Sequence, residues 1–92
     1  MRELAELRTE LDAIDKKITE LLLKRLALSK EVGMYKKTSG KKVYDRAREE
    51  EKIAALTALA DDELSEKYIA DIYEHILNYS REAQYIIITE NN

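Results

Sequence analysis

The strongest constraint on the fold of this chain is an apolar spacing that runs through its N-terminal part. Apolar side chains, interrupted by one arginine, recur there in alternating steps of three and four residues. That spacing places them on one side of an α-helix, whereas a strand would need alternation with a period of two. The positions are Leu4, Leu7, Leu11, Ile14, Ile18, Leu21, Arg25, Leu28, Val32 and Tyr35. We therefore predict a first helix over residues 3–37, ended by Gly40.

The length of this helix has a consequence for assembly. A helix of that length spans about 50 Å, whereas a compact domain of 92 residues has a radius of gyration of about 12 Å. The helix therefore extends beyond any globule that the rest of the chain can build around it, and its far apolar end needs a partner. Closed two-fold dimers are the commonest oligomers, so we predict an intertwined helical homodimer.

The remainder of the chain predicts two further helices. Charged residues make up 38% of the sequence, Pro is absent and Gly occurs only twice, so helix breakers are few. A second helix is predicted over residues 45–60 with Asp45 as its N-cap, and a third over residues 65–88 after an acidic loop around Asp61 and Asp62. We predict a single all-α domain over residues 1–92, with three helices that are long, short and medium in length.

Composition excludes several classes of function. The chain has no Cys, which removes disulfides, thiol catalysis and Cys-zinc sites. Its net charge of −3 argues against nucleic-acid binding. It has no apolar run of the roughly 20 residues that cross a membrane, and no signal peptide at its N-terminus. We expect a cytoplasmic protein with no metal and no cofactor.

Polar residues on the apolar side of the first helix are the main sign of a function. Arg25 falls in the middle of the apolar arc on a helical wheel, and Ser29 and Lys36 lie close to it. Buried cations cost free energy unless they are paired. A structural ion pair, exposure of the charged ends of long side chains, and pairing of Lys36 with the helix dipole remain open as alternatives.

The other predicted helices have the same property. In the second helix, Asp45 and Glu49 continue the apolar stripe toward the N-terminus, and Arg48 lies beside it. An exposed ion pair is the alternative for Arg48, and a pair with Lys52 in solvent is the alternative for Glu49.

In the third helix, Ser80 and Gln84 lie one turn apart at the edge of the apolar stripe. A hydroxyl bonded to its own helix and a surface amide are the alternatives there. Together these inward polar residues indicate either an ion cluster or a polar pocket within a helical bundle. A pocket with at least two fixed cations favours a small dianionic ligand over a metal.

The sequence also resembles a known family. The segments LRTELDAIDKKITELLLKRLALSKEVGMYK, VYDRAREEEK and ILNYSREAQ are similar to the all-helical chorismate mutases over nearly the whole chain, residues 4–84. The resemblance implies a domain-interwoven dimer of three-helix protomers. It also implies conversion of chorismate to prephenate, the branch step toward phenylalanine and tyrosine, without a cofactor.

The resemblance assigns roles at the reacting end of the substrate by motif. It implies that Arg25, together with Arg8 from the partner chain, binds the substrate carboxylates. Lys36 would contact a carboxylate and the ether oxygen, and Gln84 would donate to that oxygen from the other side. Glu49 would accept a hydrogen bond from the ring hydroxyl.

Four further residues receive supporting roles from the same resemblance. Asp45 would hold the ring end, Ser80 would meet a carboxylate, and Arg48 would support the anionic side. Val32 would line the wall. Lys42 stands where many members of the family have a proline before the second helix, which puts the geometry of that loop in doubt.

The predicted position of Arg8 has independent support from the helical wheel. Arg8 lies roughly 100° around the first helix from Arg25, so one straight helix does not aim both at one pocket, whereas a crossed dimer can. An exposed pair of Arg8 with Asp12 is the alternative. Two other functions remain open for the chain: an isochorismate-pyruvate lyase of the same fold, and a non-catalytic helical dimerisation or regulatory domain.

Overall fold

The computed structural model describes residues 1–90 and contains three α-helices and no strand within that range. The helices are α1 (Leu4–Ser39), α2 (Arg46–Thr57) and α3 (Glu63–Thr89). The prediction of an all-helical chain with a long, a short and a medium helix is confirmed. Residues 91 and 92, the end of the predicted domain, lie outside the described residues.

Helix α1 is stopped by the glycine that the sequence predicts, Gly40. Gly40 has a φ of 73°, in the left-handed region that favours glycine, and its backbone N–H donates to the carbonyl of Lys36. The helix continues two residues beyond the predicted end at residue 37. It gives the chain its longest dimension of 56 Å, and the radius of gyration is 16.7 Å. A compact chain of this length would have about 12 Å, so the chain is elongated.

The boundaries of α2 agree with the prediction at one end only. The Asp45 carboxylate accepts a hydrogen bond of 3.1 Å from the backbone N–H of Arg48, which confirms the predicted N-cap. The predicted end at residue 60 is wrong, because the helix stops at Thr57. The chain tightens there into a turn in which each backbone N–H of residues 59 and 60 donates to the carbonyl three residues before it.

Helix α3 begins two residues earlier than predicted. Asp62, assigned to a loop from the sequence, is its N-cap, and its carboxylate accepts a hydrogen bond of 2.7 Å from the backbone N–H of Ser65. The hydrogen bonds from Ser65 lower the pKa of Asp62. The predicted start at residue 65 is therefore wrong, because this carboxylate satisfies a free N–H of the first turn and lets the helix begin at Glu63.

Helix α3 packs against both α1 and α2, whereas no Cα atom of α1 lies within 8 Å of a Cα atom of α2. Gly33 lies at a close approach between α1 and α3: a Cβ built there would stand 3.0 Å from the Gln84 Cα atom. Within residues 1–90 the buried apolar side chains are only Val43, Leu77 and Ala83. The single chain therefore has a very small hydrophobic core.

The apolar stripe of α1 is largely open to solvent in the single chain. Its members from Leu4 to Leu28 are between 40 and 63% exposed, apart from Arg25. In the part of the chain that the structure describes, no helix combines the length and hydropathy needed to cross a membrane.

Candidate active site

A pocket of about 310 Å³ lies between the three helices. This volume is at the lower end of the range for small-molecule sites. Helix α1 supplies one wall and its C-terminal end, α2 supplies its first two turns, and α3 closes the remaining side. The lining residues are Arg25, Leu28, Ser29, Val32, Lys36, Val43, Asp45, Arg48, Glu49, Lys52, Leu77, Ser80, Arg81 and Gln84.

The Arg25 side chain is held in place by two serines. Its guanidinium donates a hydrogen bond of 2.7 Å to the Ser80 hydroxyl, and that hydroxyl is also hydrogen-bonded to the hydroxyl of Ser29. Both serines are buried, whereas Arg25 is partly exposed. The two serines therefore tie α1 to α3 and fix a cation at the pocket wall, with other N–H groups of the guanidinium left to donate.

Lys36 is fixed near the C-terminal end of α1. Its ammonium group donates a hydrogen bond of 2.9 Å to the backbone carbonyl of Val43, in the loop before α2. Val43 itself is buried. An ammonium group has three donors, and two remain for a ligand.

Gln84 is the most constrained amide of the site. The residue is 8% exposed, and its Oε1 atom is buried with no hydrogen-bond partner in residues 1–90. Buried polar atoms of native proteins nearly always have a partner. Because Gln84 lines the pocket, its amide is placed to bind a ligand. The close approach at Gly33 fixes the backbone from which this amide extends.

Glu49 forms an ion pair across two helices. Its carboxylate accepts a hydrogen bond from the guanidinium of Arg81 on α3, and both side chains are less than one-quarter exposed. The hydrogen bond and charge of Glu49 raise the pKa of Arg81. The Arg81 guanidinium also lies 4.8 Å from the centre of the Tyr44 ring, a cation–π contact. The alternative of a solvent pair between Glu49 and Lys52 is wrong.

Two further cations of α2 face the pocket. Arg48 and Lys52 are one helical turn apart, so their side chains leave the same side of the helix. Burial lowers the pKa of Lys52, and the positive charges of Arg48 and Arg25 lower it further, against an opposite effect of Glu49. Arg48 forms no ion pair within residues 1–90, so the alternative of an exposed helical pair is wrong for it.

The pocket brings together every residue proposed from the sequence for the site except Arg8. Arg8 is exposed and lies about 25 Å along α1 from Arg25. The ion pairs of the described residues do not include the alternative pair of Arg8 with Asp12. Within the single chain, Arg8 therefore does not line the pocket.

Sequence reasoning missed Arg81, Lys52 and Val43 as members of the site. The contribution of Val43 is a backbone carbonyl, which leaves no trace in side-chain spacing. Arg81 directly follows Ser80, off the apolar stripe, and reaches Glu49 only because α2 and α3 pack together. Lys52 had a detectable signal. It lies four residues after Arg48 and three after Glu49, close to the side of α2 that carries the inward carboxylates.

The chemistry available to the pocket is that of anion recognition. It contains five cationic side chains and two carboxylates, and the carboxylates of Asp45 and Glu49 are already engaged by the α2 N-terminus and by Arg81. In residues 1–90, no group of three or more His, Cys, Asp and Glu side chains is arranged to hold a metal. The lone His75 is exposed and lies outside the pocket.

A second, larger groove of about 790 Å³ runs along α1 and α3. Its wall is mainly apolar, with contributions from Ile18, Leu22, Ile72 and Ile76. Arg25 borders both this groove and the polar pocket. The pocket therefore adjoins an extended apolar surface.

The sequence of the chain matches a known protein family. The sequence profile described as chorismate mutase type II matches residues 7–85 of the chain. The matched segment includes the whole pocket lining together with Arg8. No curated protein matches the chain.

Proposed function

The chain belongs to the chorismate mutase type II family, and on that premise we propose that it is an active chorismate mutase. It rearranges chorismate to prephenate in the biosynthesis of phenylalanine and tyrosine. The observation that carries the proposal is the convergence of Arg25, Lys36 and Gln84 on one pocket of about 310 Å³. Two of these groups are cations, and the third is an amide whose N–H groups can donate hydrogen bonds.

The reaction sets two requirements, and neither involves proton transfer. Chorismate is a dianion that rearranges in a single unimolecular step, in which a carbon–oxygen bond breaks as a carbon–carbon bond forms. The protein must hold the extended molecule folded with its reacting carbons together. It must also stabilise the negative charge that grows on the ether oxygen as the carbon–oxygen bond breaks.

Binding of the folded dianion is assigned to the cations of α1 and α2. Arg25, held by Ser80 at 2.7 Å, forms a bidentate contact with one carboxylate, a geometry to which a guanidinium is suited. Arg48 supports the anionic side. At the other end, Glu49 accepts a hydrogen bond from the ring hydroxyl and Val32 contacts the ring.

Stabilisation of the ether oxygen is assigned to Lys36 and Gln84. Lys36 reaches it from the end of α1, and its bond of 2.9 Å to the Val43 carbonyl limits its motion beforehand. Gln84 donates its amide N–H from α3, with the amide turned so that its nitrogen faces the oxygen. Donors fixed before the reaction act at full strength, because they do not have to reorient as charge develops.

The test is disappearance of chorismate with appearance of prephenate. We expect Lys36→Ala and Arg25→Ala to lower kcat/KM by at least about 10²-fold. Lys67→Ala is the matched control, because Lys67 is an exposed lysine of α3 that pairs only with Asp71. Near-wild-type rates in either pocket variant would reject the site. Because no proton is transferred, kcat should be nearly constant from about pH 6 to 8.

The same assay separates this function from its alternatives. Incubation with isochorismate tests for an isochorismate-pyruvate lyase, which would release pyruvate. Turnover of neither substrate by a folded sample would favour a non-catalytic helical domain. The donors that line the pocket, Arg25, Lys36 and Gln84 among them, support the mutase over that last alternative.

We further propose that the working unit is an intertwined homodimer. The exposed stripe of α1 and the apolar groove along α1 and α3 support it, since monomeric proteins rarely expose apolar patches of this extent. A second copy is the occupant we propose, because the length of α1 extends well beyond the rest of its own chain. In that arrangement Arg8 of each chain reaches the pocket of the other.

Mixing two inactive variants tests this exchange of Arg8. Arg8→Met and Arg25→Met are each expected to be nearly inactive alone. If Arg8 acts across the dimer, co-refolded mixtures regain about one-quarter of wild-type activity, since half the dimers are mixed and one of their two sites is intact. If Arg8 acted within its own chain, mixing would restore nothing. Sedimentation of a folded monomer at micromolar concentration would refute the dimer itself.

A further inference from the structure

Lys52 has no role in the proposed reaction so far, yet it lies in the pocket. It is half-buried on α2, lines the same pocket as Arg25 and Lys36, and forms no ion pair within residues 1–90. The charged groups that act on it are Arg48 and Arg25, which repel it, and Glu49, which attracts it. Lys52 is therefore held close to two positive charges.

The nearest carboxylates do not relieve this repulsion. Glu49 is bound to Arg81, and Asp45 caps the N-terminus of α2. Arg48 and Lys52 are like charges four residues apart on one helix, an arrangement that destabilises a helix unless an anion lies between them. Of the five cations that line the pocket, the two carboxylates can balance only two.

A dianionic ligand would supply the missing negative charge. Two charges on the ligand bring the pocket to a net charge of about +1, because five cations then face four negative charges. A carboxylate placed near Arg25 would also lie in the pocket that Lys52 and Arg48 line. Lys52 thus has both the position and the free donors to contact it.

We propose that Lys52 is a further substrate-binding residue, which contacts a carboxylate of the dianion beside Arg25 and Arg48. This inference rests on the proposed mutase function for the identity of the ligand. Lys52 contributes to binding of the ground state and of the transition state equally, because the carboxylates keep their charge through the rearrangement. Its removal therefore raises KM and leaves kcat nearly unchanged.

The kinetic test compares two substitutions at this position with one control. We expect Lys52→Met, which keeps the length of the side chain and removes its charge, to raise the KM for chorismate about ten-fold. Lys52→Arg should stay within about two-fold of wild type, because it retains the cation. Lys67→Met removes an equivalent lysine outside the pocket and should leave KM unchanged. A fall in kcat without a rise in KM in Lys52→Met would overturn the assignment.

A binding measurement separates failure of this inference from failure of the proposed function. Sodium malonate, a small dicarboxylate, is titrated by NMR into wild-type protein, Lys52→Met and Lys67→Met. We expect weaker malonate binding in Lys52→Met alone. Equal malonate affinity and equal KM in wild type and Lys52→Met would overturn the inference. Lys52-dependent malonate binding by a protein that does not turn over chorismate would support the anion site and reject the mutase function.

Discussion

Gly33 provides the sharpest link between packing and the proposed catalysis. A Cβ atom added at this position would lie 3.0 Å from the Gln84 Cα atom and 3.3 Å from both the Gln84 carbonyl oxygen and the Ile87 Cβ atom. Carbon atoms pack best at about 3.5–4.0 Å. Two of these neighbours are backbone atoms of α3, which cannot rotate away. Gly33→Ala should therefore push α3 outward by about 0.5 Å or more at Gln84.

The expected magnitudes follow from two opposing effects. In an ordinary helix interior, replacing Gly with Ala stabilises the helix by about 1 kcal/mol. Insertion of a methyl group into a packed contact costs about 1–3 kcal/mol. The free energy of unfolding should therefore fall by up to about 2 kcal/mol instead of rising. Because a shift of about 1 Å can cost 10²-fold in rate, kcat should fall about ten-fold.

Gly40→Ala is the matched control. Gly40 also needs to be glycine, but for conformation, since its φ is 73° and nothing lies within 4 Å of an added Cβ. Ala at that position should cost about 1–2 kcal/mol of stability and leave kcat close to wild type. The measurements are urea unfolding and initial rates with chorismate. A Gly33→Ala variant that is more stable than wild type and equally active would refute the packing argument.

Two further predictions concern an ion pair and a helix cap. Arg81→Met should lower kcat/KM about ten-fold, because it leaves the Glu49 carboxylate without its partner. In a double-mutant cycle, the loss of kcat/KM in Arg81→Met with Glu49→Gln should be smaller than the sum of the two single losses. Additive losses would contradict the coupling of the two residues. Asp62→Ala should lower the urea midpoint at pH 7, because the folded-state pKa of Asp62 lies below its ordinary 3.8. That stabilisation is present above the unfolded-state pKa and is lost as the pH falls through the folded-state pKa. The difference in urea midpoint between Asp62→Ala and wild type should therefore shrink in acid. A difference in midpoint that is independent of pH would contradict the role of the carboxylate.

The sequence predicted the helices well because their signals are local. The three-and-four spacing identified α1, Gly40 marked its end and Asp45 capped α2, and each depends only on nearby residues. The errors occurred at the start of α3 and at the end of α2. Asp62 carried the same cap chemistry as Asp45 but was assigned to a loop, and the end at Thr57 has no Gly to mark it.

Site residues were predictable where helical periodicity determines the side of the helix on which they lie. They were not predictable where their contacts depend on how the helices pack together. Arg25, Lys36 and Gln84 were identified because inward polar residues break an apolar stripe, and the pocket brings them together. The partner of Glu49 was missed because the reach of Arg81 depends on how α2 meets α3. The proposed contribution of Arg8 requires a second chain, and no pattern within one chain gives the distance of Arg8 from a neighbouring pocket.

The separation of α1 from α2 has a consequence for how such a site can change over evolution. Because no Cα atoms of these helices come within 8 Å, whereas α3 packs against both, α3 contributes to the width between them. A change of side-chain volume at Leu77 or Ala83 would alter that width without touching Arg25, Lys36 or Glu49. New ligand sizes are therefore accessible through small mutational steps on one helix, while the charged groups on the other two stay under separate selection.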